Sequence, residues 1–166
     1  MADAWRRAPL LVAAGVLLVS IVGVAALLGP RRGDSRSGAL SEDVTEDVTV
    51  IARGAAIYAV QCASCHGRSL EGEPDWQSPR ADGLMPAPPH NSDGHTWHHD
   101  TATLFGITKA GLVPPWAPAG YRSEMPAFSR VLSDKEIWAV LSFIASTWNE
   151  EARAWQRQVE AQAEAR

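Results

Sequence analysis

Apolar positions along the chain change rhythm three times. Residues 10–28, LLVAAGVLLVSIVGVAALL, form an unbroken run of 19 positions without a charge. As a helix this run extends about 28 Å at ~1.5 Å per residue, close to the hydrocarbon thickness of a bilayer. Arg6 and Arg7 precede it and Gly29-Pro30 close it. The run exceeds the usual signal-peptide core and no clear A-x-A site follows, so residues 1–30 are expected to be a transmembrane anchor, with a cleaved signal sequence as the alternative. Arg31, Arg32 and Arg36 lie just beyond, so the charge rule alone does not orient the span. Either reading sends the remaining chain out of the cytoplasm.

Residues 31–46 are mostly Gly, Ser and charge, the composition of a flexible linker. A helical period then takes over. Val48, Ile51, Ala55, Tyr58 and Ala59 share one face and predict a helix over about residues 45–61, with Glu42, Asp43, Glu46 and Asp47 crowding its start, where the helix dipole favours negative charge. A short helix is predicted over residues 101–110, capped by Asp100 or Thr101, with Leu104 and Ile107 facing inward and Gly111 as its stop. Ser133 and Glu136 form a capping box for a third helix, in which Ile137, Val140, Leu141, Ile144 and Trp148 keep helical spacing. Residues 149–166 are charged and rich in Ala and Gln, and read as a solvated helical tail. The folded core is therefore placed at residues 47–148 and is all-α.

Between the first two of these helices, residues 68–99 are rich in Pro, Gly and Asp and show no alternating strand pattern. So long an irregular stretch inside a compact domain calls for something to organise it. A core of this size has a poor surface-to-volume ratio and gains from a large buried apolar group. The net charge of -4 with no basic run excludes a nucleic-acid partner. The two cysteines, Cys62 and Cys65, cannot build a disulfide scaffold.

Those cysteines belong to Cys62-Ala63-Ser64-Cys65-His66, a C-x-x-C-H motif at the end of the first predicted helix. Two thiols one helical turn apart can each form a thioether with a vinyl group of one haem, and His66 beside them then supplies an axial ligand to the iron. A thioredoxin-like redox pair would need a preceding strand and a βαβ pattern, and neither is visible. A zinc site joining Cys62 and Cys65 to His95 and His99 is the nearer rival, but the gap is long and His66 would be idle. For the second axial position methionine thioether is the natural donor. Met125 stands in Ser-Glu-Met-Pro-Ala-Phe ahead of the third helix, and Pro126 holds its backbone extended. Met85, in a similar Leu-Met-Pro setting, is the second candidate, and a histidine or an open site the third.

The Met-Pro-Ala-Phe segment followed by a capped, Trp-containing helix, with C-x-x-C-H ending an earlier one, resembles class I cytochrome c, in a small membrane-anchored bacterial form. Residues Arg53-Gly54-Ala55-Ala56-Ile57-Tyr58 resemble that family's first helix. The resemblance covers about residues 45–148 and is weak in the middle. It implies an all-α cytochrome c-like domain around one covalent haem c on Cys62 and Cys65, with His66 and Met125 as iron ligands. It also implies electron transfer between protein redox partners rather than catalysis. It further implies a steep crossing of the first and last helices at Gly54, with Tyr58 and Trp138 as aromatic partners. With the anchor, this predicts a haem domain on the periplasmic side, in contact with membrane lipid through residues 1–30 or secreted after cleavage. His66 is expected to donate its other ring N–H to a backbone carbonyl near Pro79, Pro86 or Pro88. Tyr58, Trp97 and Trp116 are candidate haem-pocket residues, with Trp76 a further one; the tryptophans serve equally well as loop anchors.

Four of the five histidines fall within residues 90–99. His95, His98 and His99 are candidate ligands of a second metal, copper or zinc. The same loop also suits partner docking or haem propionates, or is a plain polar surface. Two further functional readings stand beside the electron carrier: a haem subunit of a larger oxidoreductase, and a metal-binding protein using this loop. A haem enzyme with an open distal site is a fourth.

Overall fold

The computed structural model describes residues 47–166. The anchor and linker expected over residues 1–46 lie outside the described residues. Among the described residues no helix is long and apolar enough to cross a membrane.

Five α-helices and one short 3-10 turn make up the described chain, and no strand is present among these residues. Helix α1 spans Val48–Gln61; Asp47 caps it by accepting from the Thr49 amide at 2.9 Å. Helix α2, Ala63–His66, is a single turn carrying the C-x-x-C-H motif, and Gly67 at φ 81 ends it. The 3-10 turn covers Thr96–His98. Helix α3, Thr101–Ala110, starts at the Asp100 cap and stops at Gly111. Helix α4, Asp134–Ser146, opens with the reciprocal Ser133–Glu136 capping box that its sequence predicts. Helix α5, Glu150–Glu164, follows after a break at Thr147–Asn149, with Asn149 as its cap.

Helices α1 and α4 form the main packing contact. Gly54 sits at their crossing: a Cβ there would overlap the carbonyl oxygen of Ala139 and the Cβ of Phe143. Close backbone approach therefore requires glycine at this position. The core gathers Ile57, Tyr58, Ile137, Val140, Leu141, Ile144 and Trp148. One expected pair is different. Tyr58 packs against Phe143, with ring centroids 5.4 Å apart, while Trp138 stacks on Phe105 of α3 at 4.5 Å. Ala139 and Phe143 are four residues apart and share the α4 face that meets α1; Trp138 is turned about 100° from Ala139, toward α3.

The tail also departs from expectation. Helix α5 is not simply solvated. It packs on the 3-10 turn and buries Ala152 and Gln156. Gln156 Nε2 donates to the His99 carbonyl at 2.9 Å, and the Thr101 amide donates to Glu160 Oε1 at 2.7 Å. Trp148 Nε1 donates to the His90 carbonyl at 2.9 Å, and the Asn149 amide to the Ser92 hydroxyl at 2.8 Å. The histidine-rich loop is thus fastened to the C-terminal segment at both of its ends.

Candidate functional site

One large cavity opens among α2, the loop of residues 85–99, α3, the Met125 segment and α4, and encloses about 1140 Å³ with its mouth included. Cys62, Cys65, His66, Met85 and Met125 are among the residues that line it. Leu104, Ile107, Phe128, Val140, Leu141 and Ile144 make the interior apolar.

The local fold explains this placement. The motif is wound by the amides of Cys65 and His66, which both donate to the Cys62 carbonyl, at 3.2 and 3.0 Å. Both thiols are free of disulfide bonding; Cys62 is partly buried and Cys65 exposed. Burial, and then the neighbouring Cys65, pushes Cys62 up to about 11. Beneath the motif, the Tyr58 hydroxyl reaches the carbonyls of Gly67 at 3.0 Å and His66 at 3.3 Å.

His66 is buried, with Nδ1 2.8 Å from the Pro88 carbonyl. Of the three prolines the sequence offered, Pro88 is the one at that position. A carbonyl can only accept, so Nδ1 carries the proton and Nε2 keeps its lone pair. Burial lowers the His66 pKa against the opposing pull of the Pro88 carbonyl and Glu73, which keeps the ring neutral. His90, which the sequence analysis did not single out from its loop, stacks on His66 with centroids 3.9 Å apart and has Nδ1 2.9 Å from the Thr96 hydroxyl. Its only advance signal is its place two residues beyond Pro88.

The segments carrying the two methionines are joined by an isolated parallel bridge between Met85 and Ser123, with the Met85 amide donating to the Arg122 carbonyl at 2.8 Å. Met125 is half-buried and its amide donates to the Ser123 hydroxyl at 3.1 Å. Arg80, whose amide donates to the Leu84 carbonyl at 2.9 Å and whose guanidinium pairs with Glu124, ties the two methionine segments together at the surface.

The other expected pocket residues lie elsewhere. Tyr58 supports the motif from the core rather than from the cavity. Trp97 is packed between His98, stacked at 3.9 Å, and Trp155 of α5. Trp116 lies against Gly106, and Trp76 stacks on His95 at 4.9 Å. None of the four lines the cavity. His95, His98 and His99 are not gathered into a metal site either. His95 and His99 meet edge to face at 5.4 Å and line the cavity, whereas His98 is exposed and faces Trp97. Among the described residues no group of three or more His, Cys, Asp or Glu side chains is arranged to hold a metal ion. That arrangement also leaves the zinc alternative at Cys62 and Cys65 without its histidines.

The wall fits a haem: two thiols on one helical turn, a neutral imidazole with Nε2 unengaged among the described residues, thioether donors on the same cavity and an aliphatic lining. Residues 51–148 match the cytochrome c family, and the chain belongs to it, a class of helical electron-transfer proteins. It is similar to the gluconate 2-dehydrogenase cytochrome c subunit of Pantoea cypripedii, with 28% identity over 101 residues, covering 61% of this chain and 21% of that protein. The matched region thus spans about a fifth of the relative's length. No solved structure matches the chain.

Proposed function

We propose that this chain is a monohaem c-type cytochrome that passes single electrons between protein partners on the periplasmic side of the membrane to which residues 1–30 anchor it. The observation that carries the proposal is the shared cavity of Cys62, Cys65, His66 and Met125, with Pro88 orienting the imidazole. Bound haem supplies a one-electron iron couple. Cys62 and Cys65 would hold it covalently, and His66 through Nε2 and Met125 through its thioether would bind its iron. The Pro88 carbonyl fixes the His66 tautomer and makes the ring a better donor. The aliphatic side chains of α3 and α4 keep water from the interior, which limits reorganisation as charge changes. The tether would raise the effective concentration of the domain near membrane partners.

Met125 is preferred to Met85 because Pro126 restricts its backbone and the segment leads directly into α4. The test is an absorption spectrum of protein matured in a host that attaches haem c. Reduced bands typical of haem c, with a weak far-red band that disappears in Met125→Ala, are the expected outcome. Colourless protein refutes the reading, and a far-red band that survives in Met125→Ala moves the ligand to Met85.

A second reading is a haem subunit of a larger oxidoreductase, favoured by the likeness to a dehydrogenase cytochrome subunit. Co-purification of the tagged full chain with a stoichiometric dehydrogenase subunit would support it. Isolation of the chain alone, still reduced and reoxidised by soluble partners, would favour the free carrier.

A further inference from the structure

The polar lining of the cavity is unusual in what it lacks. A haem brings two propionate carboxylates, and anionic groups drawn into a partly closed cavity need a cationic or hydrogen-bonding partner. Among the described residues no lysine or arginine lines this cavity, and the one carboxylate that does, Glu124, is committed to Arg80. Gln61, Tyr121 and Ser123 offer neutral donors, but only the imidazoles on the cavity lining can become positive. His66 has Nδ1 on the Pro88 carbonyl and Nε2 reserved for iron, and His90 is stacked on His66 and bonded to Thr96. His95 and His99 remain. Neither ring has a hydrogen-bond partner among the described residues, and His95 Nδ1 is sealed from solvent without one.

These two side chains are held in place. Trp76 lies parallel to the His95 ring at 4.9 Å, with 4° between the planes. The backbone of His99 is fixed on both sides, its amide donating to the Thr96 carbonyl at 3.2 Å and its carbonyl accepting from Gln156 Nε2 at 2.9 Å. Trp76 and the α5 helix therefore preorganise a pair of imidazoles whose rings have no hydrogen-bond partner among the described residues.

We infer that His95 and His99 form the carboxylate-binding end of the cavity, where they take a haem propionate and couple proton uptake to reduction. The inference rests on the haem reading under Proposed function. Without a carboxylate, burial and then His99 and His98 lower the His95 pKa; burial and then His98 lower that of His99, against the pull of Asp100. An adjacent carboxylate reverses that balance. One electron from a protein donor removes one positive charge from the centre, and the pair takes a compensating proton from solvent with no other bond made or broken. The titratable groups around the pair are His90, His98 and Asp100 on its own loop, Glu160 from α5, and Tyr121 and Glu124 on the cavity wall.

The test is the midpoint potential of the haem-loaded full chain against pH, over about pH 5 to 8, where imidazoles titrate. It is read for the unmodified protein, for His95→Gln with His99→Gln, and for His98→Gln as an off-cavity control. The potential should fall as pH rises in the unmodified protein and in His98→Gln, and be flat in the double variant, with all absorption spectra alike. A flat profile in the unmodified protein, or a slope that survives in the double variant, overturns the inference. If the double variant does not mature, redox-difference infrared spectra of the unmodified protein decide: propionate carboxylate bands must change with pH across the same range, and bands that do not change overturn it. Protein without haem overturns the functional proposal instead.

Discussion

Replacing Gly54 with alanine tests the helix crossing directly. An alanine Cβ would overlap three atoms: the carbonyl oxygen and carbon of Ala139 and the Cβ of Phe143. Two of the three are backbone in the middle of α4, so no rotamer change relieves the overlap, and the helices must move apart or slide. Helix propensity works the other way, favouring alanine by roughly 1 kcal/mol in a helix interior. Overpacking of a close contact typically costs about 1–3 kcal/mol, and the rigid backbone places this site at or above the upper end. The net expectation is a loss of about 2 kcal/mol, or roughly 10 °C in Tm for a domain of this size. Denaturant unfolding followed by tryptophan fluorescence, with a parallel thermal melt, measures it. Gly120→Ala is the control, because nothing lies within 4 Å of a Cβ there and only the strain of φ 85 is felt. A Gly54→Ala variant as stable as the parent would refute the close-approach argument. Rescue by Phe143→Ala should be partial at best, because the Ala139 overlap remains.

Three further outcomes follow from the same contacts. Tyr58→Phe removes the donor to the Gly67 and His66 carbonyls and should cost about 1 kcal/mol by denaturant titration, with the haem absorption bands unchanged. Truncation after Asn149 removes the bonds from Gln156 and Glu160, so amide exchange over residues 96–101 should accelerate while exchange in α1 does not. Burial, with the negative charges of Asp100 and Glu164, raises the Glu160 pKa against the Thr101 amide and Gln156. A carboxyl raised on folding binds more protons folded than unfolded, so its contribution to stability falls as pH climbs from about 4.5 through the raised value. Glu160→Gln should therefore flatten that part of the Tm-versus-pH curve, and an unchanged curve would contradict the burial argument.

The helices were legible because their ends are written in side chains. Asp100 and Ser133 with Glu136 cap where the sequence places them, Gly111 stops α3, and Asp47, one of four acidic residues expected around the start of α1, is its cap. Cys62, Cys65 and His66 were legible because covalent chemistry fixes their spacing. The rest depends on contacts without a hydrophobic period. Helix α5 docks through Ala152, Gln156 and Glu160, one small residue and two polar ones at i, i+4, i+8, and its bonds go to the backbone of His99 and Thr101 rather than to side chains there. A pattern reading therefore saw only a solvated tail. His90 was missed because its stacking on His66 depends on the path of an irregular loop. The choice of Phe143 over Trp138 turned on a one-residue rotation that spacing alone does not resolve.

The fastening of the histidine-rich loop by Trp148, Gln156 and Glu160 has a consequence for how the molecule is made. A chain is delivered from its front. The thiols of Cys62 and Cys65 therefore emerge long before the helix that locks the opposite rim of their cavity. Machinery that joined porphyrin to those sulfurs before α5 arrived would meet a gap still open on that side, with the latch falling only once the last turns of α5 were in place.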